Sequence, residues 1–197
     1  MFKLFDINNF MIGIDEVGRG PLAGPSVVCG IVLGDQVDPS NLIDSKKLKH
    51  HQIETIGQML LNQAKAIYIE YISVEQIEAL GIKQAIVKAM QKITTKANQP
   101  FTCVDFEKVV APYMMLSSKK GDTWFKAVSG ASIVAKCVRD RYMINLAAIY
   151  PEFGFEQHVG YGTKHHLQAL ERYGYVPGVH RNNFAPIKTM EKIYEVR

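Results

Sequence analysis

The segment from Phe10 to Pro25 constrains the fold of this chain more than any other. Its first residues, FMIGI, form an apolar run that predicts a buried strand. Two adjacent carboxylates, Asp15 and Glu16, end this strand, and a loop with three glycines follows them directly. Because side chains alternate across a strand, the two carboxylates face one site only if the strand is distorted or if Glu16 contributes through its backbone. The segment therefore predicts a strand end that carries chemistry.

The remainder of the sequence alternates strand-like and helix-like patterns. Apolar and β-branched runs predict strands at residues 26–33, 67–72 and 101–104 and within 109–116. Apolar residues at helical spacing predict helices at residues 50–65, 74–97, 125–149 and 164–173. Ser73 and Thr163 are the expected N-caps of two of them. Strands come early and helices interleave later, which favours an α/β fold with a mixed sheet.

Length and composition limit the classes of protein. The chain has 197 residues, of which 47% are hydrophobic, enough for one compact domain with a sizeable core. A run of about 18 apolar residues, which a membrane span requires, is absent from the sequence, and the first six residues do not resemble a signal peptide. The cysteines at 29, 103 and 137 are widely spaced and form no CxxC pair, so we expect buried thiols in a reducing cytoplasm.

Positive charge concentrates in the second half of the chain. Residues 117–197 carry 12 Lys and Arg against 7 Asp and Glu, whereas residues 1–116 carry 11 against 12. The second half is therefore the better candidate for a surface that faces a polyanion.

Carboxylates follow apolar strands or lie in loops at three places: Asp15 with Glu16, Asp105 after the strand at 101–104, and Asp122 in a Lys-Lys-Gly-Asp loop. Carboxylates brought together repel one another, and a hard divalent cation such as Mg²⁺ relieves that repulsion. Two such ions about 4 Å apart can activate a water and stabilise the leaving oxygen of a phosphodiester. The alternative is structural, with Asp105 capping a turn and Asp122 capping the helix that follows.

Three further segments could contact a phosphate, sugar or base. The loop Gly18-Arg19-Gly20 offers backbone N–H groups that approach a ligand closely, or it is a tight turn between strands. Lys46 and Lys47 could hold phosphates or begin a solvated helix. Tyr161, between two glycines, could stack on a sugar or base or simply pack within its loop.

The remaining titratable groups have less specific interpretations. His165 and His166 are adjacent, which suits joint ligation from a helix poorly, so we expect both at the surface. The pair at 180–181 is a basic spot without an assigned use. Residues 139–141, Arg-Asp-Arg, could be an acid flanked by phosphate clamps, and an intrahelical ion-pair group is the preferred interpretation.

Taken in order along the chain, these segments resemble ribonuclease HII. The resemblance runs from about residue 11 to residue 188, and its first block is highly specific. The matching motifs are GIDEVGRGPLAGP (13–25), DSKKL (44–48), VD (104–105), KGD (120–122), ASIVAK (131–136) with RDR (139–141), GYGTK (160–164) and FAP (184–186).

The resemblance implies an RNase H-like α/β fold, with a mixed five-stranded sheet flanked by helices and a helical C-terminal part. Residues 1–150 would form the catalytic core, and residues 151–197 would complete the substrate cleft as part of one integrated unit. It also implies cleavage of RNA in RNA–DNA hybrids and on the 5′ side of single ribonucleotides in duplex DNA, leaving 3′-OH and 5′-phosphate ends. Such activity serves ribonucleotide removal in DNA repair and replication.

The resemblance also assigns roles to particular residues. The family's four acids, which would bind two Mg²⁺ or Mn²⁺ ions, correspond to Asp15, Glu16, Asp105 and Asp122. Its junction-reading loop, its phosphate-contacting lysine and its junction tyrosine correspond to Gly18, Arg19, Gly20, Lys46 and Tyr161. The sequence departs from the family's pattern at Phe106, where a glycine is usual, and Glu107 adds a carboxylate.

Two other functional classes are weighed against this one. A non-catalytic hybrid-binding protein would not need all four acids, and a nuclease acting on DNA alone, such as a junction resolvase, would not need the Gly-Arg-Gly loop. Nucleic acid is the expected partner, and we expect a monomer in the cytoplasm. Residues 189–197 lack the glutamine and spaced apolar and aromatic residues of a clamp-binding peptide.

Overall fold

The computed structural model describes residues 10–105, 114–118, 125–191 and 193–195, and within these ranges the side chains of Lys46, Asp105 and residues 114–118 are not described. The described residues form a mixed sheet covered by helices, so the predicted α/β class is confirmed. The strands are β1 (Met11–Val17), β2 (Ser26–Val32), β3 (Ala66–Ile72), β4 (Phe101–Asp105) and β5 (Met114–Ser118).

The helices follow the predicted positions closely. They are α1 (His50–Gln63), α2 (Val74–Leu80), α3 (Ile82–Ala97), α4 (Lys126–Ile149), α5 (Phe155–His158) and α6 (Lys164–Tyr173). The helix predicted over residues 74–97 is two helices, because Gly81 has a φ of 75° that ends one and begins the next. Both predicted caps are confirmed: Ser73 accepts from the backbone N–H of Gln76, and Thr163 caps α6.

The sheet order among the described strands is β3-β2-β1-β4-β5. The first three strands along the chain form an antiparallel meander, whereas β1, β4 and β5 run parallel. A parallel connection needs a crossover, and α2 and α3 supply it between β3 and β4. The carboxyl ends of β1 and β4 therefore meet at one edge of the sheet.

Helices bury both faces of the sheet. One core cluster joins the sheet to α1 and α4, and a second joins it to α3. The close approach of α4 depends on Gly13, because a Cβ there would lie 2.2 Å from the backbone carbon of Ala127. On the other face a Cβ at Gly30 would lie 2.5 Å from Ile93. The absence of a side chain at Gly13 and Gly30 thus allows α4 and α3 to pack directly against the central strands.

A third cluster holds the C-terminal part against the end of α4. It contains Phe153 and Phe155 together with Leu22 and Ala23 of the glycine-rich loop. The three cysteines are buried free thiols, as expected. Among the described residues, no helix combines the length and apolar character that crossing a membrane requires.

Candidate active site

The ends of β1 and β4 bring two of the predicted acids to one place. Ile14 pairs with Val104 in the parallel register, so Asp15 and Asp105 follow at neighbouring positions on the same sheet edge. The backbone therefore supports the predicted grouping. The side chain of Asp105 lies outside the description, as does the whole of Asp122.

Asp15 and Glu16 have different surroundings although they are adjacent. Asp15 is only 8% exposed, and its Oδ1 accepts the backbone N–H of Glu16 at 2.8 Å. Glu16 Oε1 forms an ion pair with Arg19, 3.0 Å from its Nη2. Strand β1 pairs one to one with β2 from Gly13 to Val17, so no bulge turns the two side chains to one face. The distortion considered as one alternative is thus not found.

The charge of Asp15 acts on the buried sheet beneath it. Cys29 is its cross-strand partner, and burial together with the negative charge of Asp15 raises the pKa of that thiol above its usual range. A carboxylate in this position is a hard oxygen donor of the kind that Mg²⁺ and Mn²⁺ prefer. The described side chains contain no group of three or more possible metal ligands, and two of the four predicted donors lie outside them.

The glycine-rich loop after β1 is fastened to the C-terminal part of the chain. The backbone N–H of Leu22 donates to the carbonyl of Gly160 at 2.8 Å, and that of Gly24 donates to Val179 at 2.8 Å. In return, the N–H of Arg181 donates to the carbonyl of Leu22 at 2.9 Å. Residues far apart in sequence therefore set the conformation of this loop.

Arg139 and Arg181 are two buried residues whose contacts with the glycine-rich loop the sequence reasoning missed. Both are fully buried, and each directs its guanidinium at carbonyl oxygens of the glycine-rich loop. Because arginine is charged, it is expected to be exposed. Only for Arg139 did the sequence give a hint of burial, since its helical position places it on the apolar face of α4. The unassigned basic spot at 180–181 is thereby placed in the core.

The interpretation of residues 139–141 as one intrahelical ion-pair group is correct only in part. Asp140 accepts from Lys136 at 2.7 Å, one turn earlier on α4. Arg141 instead reaches Glu54 on α1, and Arg139 faces the core. The three residues point in different directions because consecutive helix positions are about 100° apart.

Tyr161 and Gly20 lie against each other at the surface. Tyr161 is 44% exposed, and a Cβ built on Gly20 would be 3.8 Å from its Cε1 atom. The ring is therefore accessible to solvent, although it also packs against Gly20. The tyrosine ring and the Gly-Arg-Gly loop thus form one continuous surface. This surface lies beside Glu16, because Arg19 of the loop forms an ion pair with Glu16.

Three buried histidines lie beneath that surface, and the expectation that His166 is at the surface is wrong. His166 is fully buried, whereas His165 is exposed as expected. The N–H of Val176 donates to His180 Nδ1 at 2.9 Å, so His180 Nε2 donates to His166 Nε2 at 3.1 Å. His166 Nδ1 then donates to the carbonyl of Tyr161 at 2.9 Å.

This chain of hydrogen bonds requires both imidazoles to be neutral, since each receives a donor at one nitrogen. Burial is the main reason why the pKa of His166 is lowered to about 4 and that of His180 to about 3, and for His180 the neighbouring His166 lowers the pKa further. The third imidazole, His158, donates from Nε2 to the carbonyl of Phe153 at 2.8 Å, and burial lowers its pKa as well.

The DSK segment packs against α4. Ser45 and Ser132 share a hydrogen bond of 2.9 Å between their hydroxyls, which holds the short turn Ser45–Lys47 on the helix. The backbone of Lys46 is thereby placed, while its side chain is not described. Phe106 and Glu107, where the sequence departs from the family's pattern, lie outside the described residues.

Comparisons with known proteins agree on one family. The model of the family "Ribonuclease HII" matches residues 12–187. A curated relative named ribonuclease HII, from Bacillus cereus, is 44% identical over 185 residues, which are 92% of this chain and 71% of the relative.

Solved structures show the same fold. The PCNA:RNase HII complex from Archaeoglobus fulgidus contains a chain with a TM-score of 0.78 and 23% identity, covering 89% of this chain and 95% of that one. Ribonuclease H2 from Pyrococcus horikoshii gives a TM-score of 0.73 at 24% identity, with 91% and 95% coverage.

Proposed function

Because this chain belongs to the ribonuclease HII family of metal-dependent endoribonucleases, we propose that it cuts the RNA strand of RNA–DNA hybrids and the 5′ side of single ribonucleotides in duplex DNA. The observation that carries the proposal is that candidate metal ligands and a candidate sugar-binding loop lie together at one edge of the sheet. The acids at the end of β1 lie beside the end of β4, and they are followed directly by a loop whose Gly20 lies against the exposed ring of Tyr161.

Asp15, Glu16, Asp105 and Asp122 are the residues that would hold divalent ions. Two bound Mg²⁺ or Mn²⁺ ions would activate a water and stabilise the departing 3′ oxygen, giving 3′-OH and 5′-phosphate ends. Asp15 is oriented for this role by the Glu16 backbone N–H, which occupies one lone pair of its Oδ1. The ion pair with Arg19 fixes the position of the Glu16 carboxylate, and this requires no distortion of strand β1.

The loop and the tyrosine would select the sugar. The 2′-OH is the group that distinguishes a ribonucleotide from its DNA counterpart. A site built to bond that hydroxyl leaves polar groups unpaired when it is absent, which penalises the wrong substrate strongly. Gly18 and Gly20 let the backbone approach the ribose, and Tyr161 offers a ring for the sugar or base beside it.

The rest of the chain would hold the duplex. Lys46 would contact a phosphate, and residues 151–197 would complete the substrate cleft against the core of residues 1–150. We further propose that the protein acts as a monomer in the cytoplasm, in ribonucleotide removal during repair and replication, without a clamp-binding peptide in residues 189–197.

The test uses three labelled substrates: a duplex with one ribonucleotide, a continuous RNA–DNA hybrid, and an all-DNA duplex, each with and without Mg²⁺ or Mn²⁺. We expect metal-dependent cleavage of the first two only. Binding without cleavage would support a hybrid-binding module instead, and equal cutting of the all-DNA duplex would support a DNA nuclease.

Asp15→Asn tests the acid assignment, since the amide preserves shape and can still accept from Glu16. Losing one charged donor should lower kcat/KM by at least about 100-fold, because metal-assisted charge stabilisation is worth several kcal/mol. Asp35→Asn is the matched control, as Asp35 is exposed on the loop after β2. Wild-type rates in the Asp15 variant would contradict the assignment.

A further inference from the structure

Two arginines meet underneath the glycine-rich loop although they are far apart in sequence. Arg139 comes from the middle of α4 and Arg181 from the segment after α6, and both side chains are fully buried. Burial and the nearby charge of Arg139 lower the pKa of Arg181 to about 9. Two buried like charges are costly unless every donor finds an acceptor.

The guanidinium of Arg181 donates hydrogen bonds to carbonyls near both ends of the loop. Its Nη2 donates to the carbonyl oxygens of Gly18 at 2.7 Å and Gly24 at 2.8 Å. Its Nη1 donates to the carbonyl of Arg19 at 3.1 Å, and its Nε donates to Gly24 at 3.0 Å. One planar guanidinium therefore joins the two ends of the loop.

Arg139 satisfies its donors on the second part of the loop. Its Nε donates to the carbonyl of Pro25 at 2.9 Å, and its Nη2 donates to that of Ala23 at 3.2 Å. Its Nη1 donates to the carbonyl of Val159 at 2.9 Å. This last bond ties the loop to the segment that carries Tyr161.

The direction of these bonds fixes which side of the loop faces outward. In a trans peptide the C=O and the following N–H point in opposite directions. Because the carbonyls of Gly18 and Arg19 point at the buried Arg181, the N–H groups of Arg19 and Gly20 point away from it. The two arginines thus orient the amide donors of the loop.

We propose that Arg139 and Arg181 are positioning residues for ribose selection: they draw the loop carbonyls inward so that the amides of Arg19 and Gly20 face the sugar. The inference rests on the proposed function. Neither arginine touches the substrate, and each acts through the loop backbone. A Cβ at Gly18 would lie 2.4 Å from Arg139 Nε, so the guanidinium also explains the glycine at this position.

The test compares Arg181→Lys and Arg139→Lys with the wild type on two substrates, a duplex with one ribonucleotide and a continuous RNA–DNA hybrid. Lysine keeps the charge but cannot join several carbonyls in one plane. The first substrate presents a 2′-OH at one position only, whereas the hybrid presents one at every position of its RNA strand and so depends less on the orientation of the loop. We therefore expect the ratio of kcat/KM on the first substrate to kcat/KM on the second to fall at least tenfold. The ratio is independent of the folded fraction, which acts equally on both substrates.

Arg141→Lys is the matched control, since Arg141 is on the same helix but pairs with Glu54. Half-saturation by Mg²⁺ should change less than the substrate ratio in all variants, because no acid is substituted. For an Arg181→Ala variant, added methylguanidinium should restore part of the substrate ratio.

Two outcomes would overturn the inference, and they differ. If both lysine variants lose activity equally on the two substrates, with a ratio within twofold of the wild type, the arginines only support the fold. If the wild type cuts neither substrate, the proposed function fails and the inference fails with it.

Discussion

Gly18 and Gly20 are two residues apart, yet the structure predicts opposite consequences for a methyl group at each. Gly18 has a φ of 91°, and a Cβ there would lie 2.4 Å from Arg139 Nε and 2.9 Å from the carbonyl oxygen of Pro25. A Cβ at Gly20 meets only Tyr161, at an ordinary contact distance of 3.8 Å. Gly18→Ala should therefore damage the fold, whereas Gly20→Ala should damage the selection of substrate.

The cost at Gly18 has two parts. A left-handed backbone conformation costs an alanine about 1–2 kcal/mol, and overpacking against a buried side chain costs about 1–3 kcal/mol. Together they predict a loss of about 2–5 kcal/mol in the free energy of unfolding. In a chain of this length each kcal/mol lowers Tm by about 2–4 °C, so Tm should fall by at least about 4 °C. Gly20→Ala should change stability by less than about 1 kcal/mol.

Thermal unfolding and cleavage of a single-ribonucleotide duplex, measured on both variants, separate the two effects. Gly20→Ala should unfold like the wild type but lose at least about tenfold in kcat/KM on that duplex, since a small misplacement of the reacting group can cost about 100-fold. A wild-type Tm for Gly18→Ala would refute the reasoning about Arg139. A wild-type kcat/KM on that duplex for Gly20→Ala would refute the role of the loop surface.

Two further predictions concern pH and salt. Because the folded pKa values of His166 and His180 are lowered, the unfolded chain binds more protons below pH 6.5, and stability should fall as pH decreases from about 6.5 toward 4. The free energy of unfolding, measured with urea, should be lower at pH 5 than at pH 7.5 by about 2 kcal/mol for each histidine. Equal stability at the two pH values would contradict the buried neutral state of these histidines. In the Asp15→Asn background, the affinity for an RNA–DNA hybrid should fall as the salt concentration rises. Lys46→Gln should reduce the slope of log K against log[salt] by about 1. An unchanged slope would show that Lys46 does not contact a phosphate.

Local patterns were sufficient to predict most elements. Apolar periodicity located α1, α4, α6 and the strands β1 to β4, because each of them buries one face or both. The strand predicted within residues 109–116 overlaps β5 only in part. It did not locate the break at Gly81, since the apolar spacing continues across it and only the positive φ separates α2 from α3. The pattern could not decide which of His165 and His166 faces the core, because that depends on how α6 rotates against Phe153 and Phe155.

The site was predictable to the extent that it is local. Asp15 and Glu16 share one motif with the loop, and a strand end at Asp105 follows from the apolar run before it. The burial of Arg139 and Arg181 was not predictable, because their acceptors in the glycine-rich loop are carbonyls more than a hundred residues away. Such backbone acceptors are present in every sequence and leave no residue pattern.

The bonds of the glycine-rich loop join residues 1–150 to residues 151–197, and they support the proposal that the two parts act as one unit. The loop carbonyls of Gly18, Arg19 and Gly24 are bonded by Arg181, and that of Leu22 accepts its backbone N–H. The N–H groups of residues 22–24 donate to carbonyls at 160 and 179. Each buried polar group left without a partner costs about 1–3 kcal/mol. A chain ending at residue 150 would lose all these partners, so the loop beside Asp15 would not keep its conformation. On the proposed function, the acids at the end of β1 would take part in the cleavage, and the choice of a sugar would depend on the last quarter of the chain.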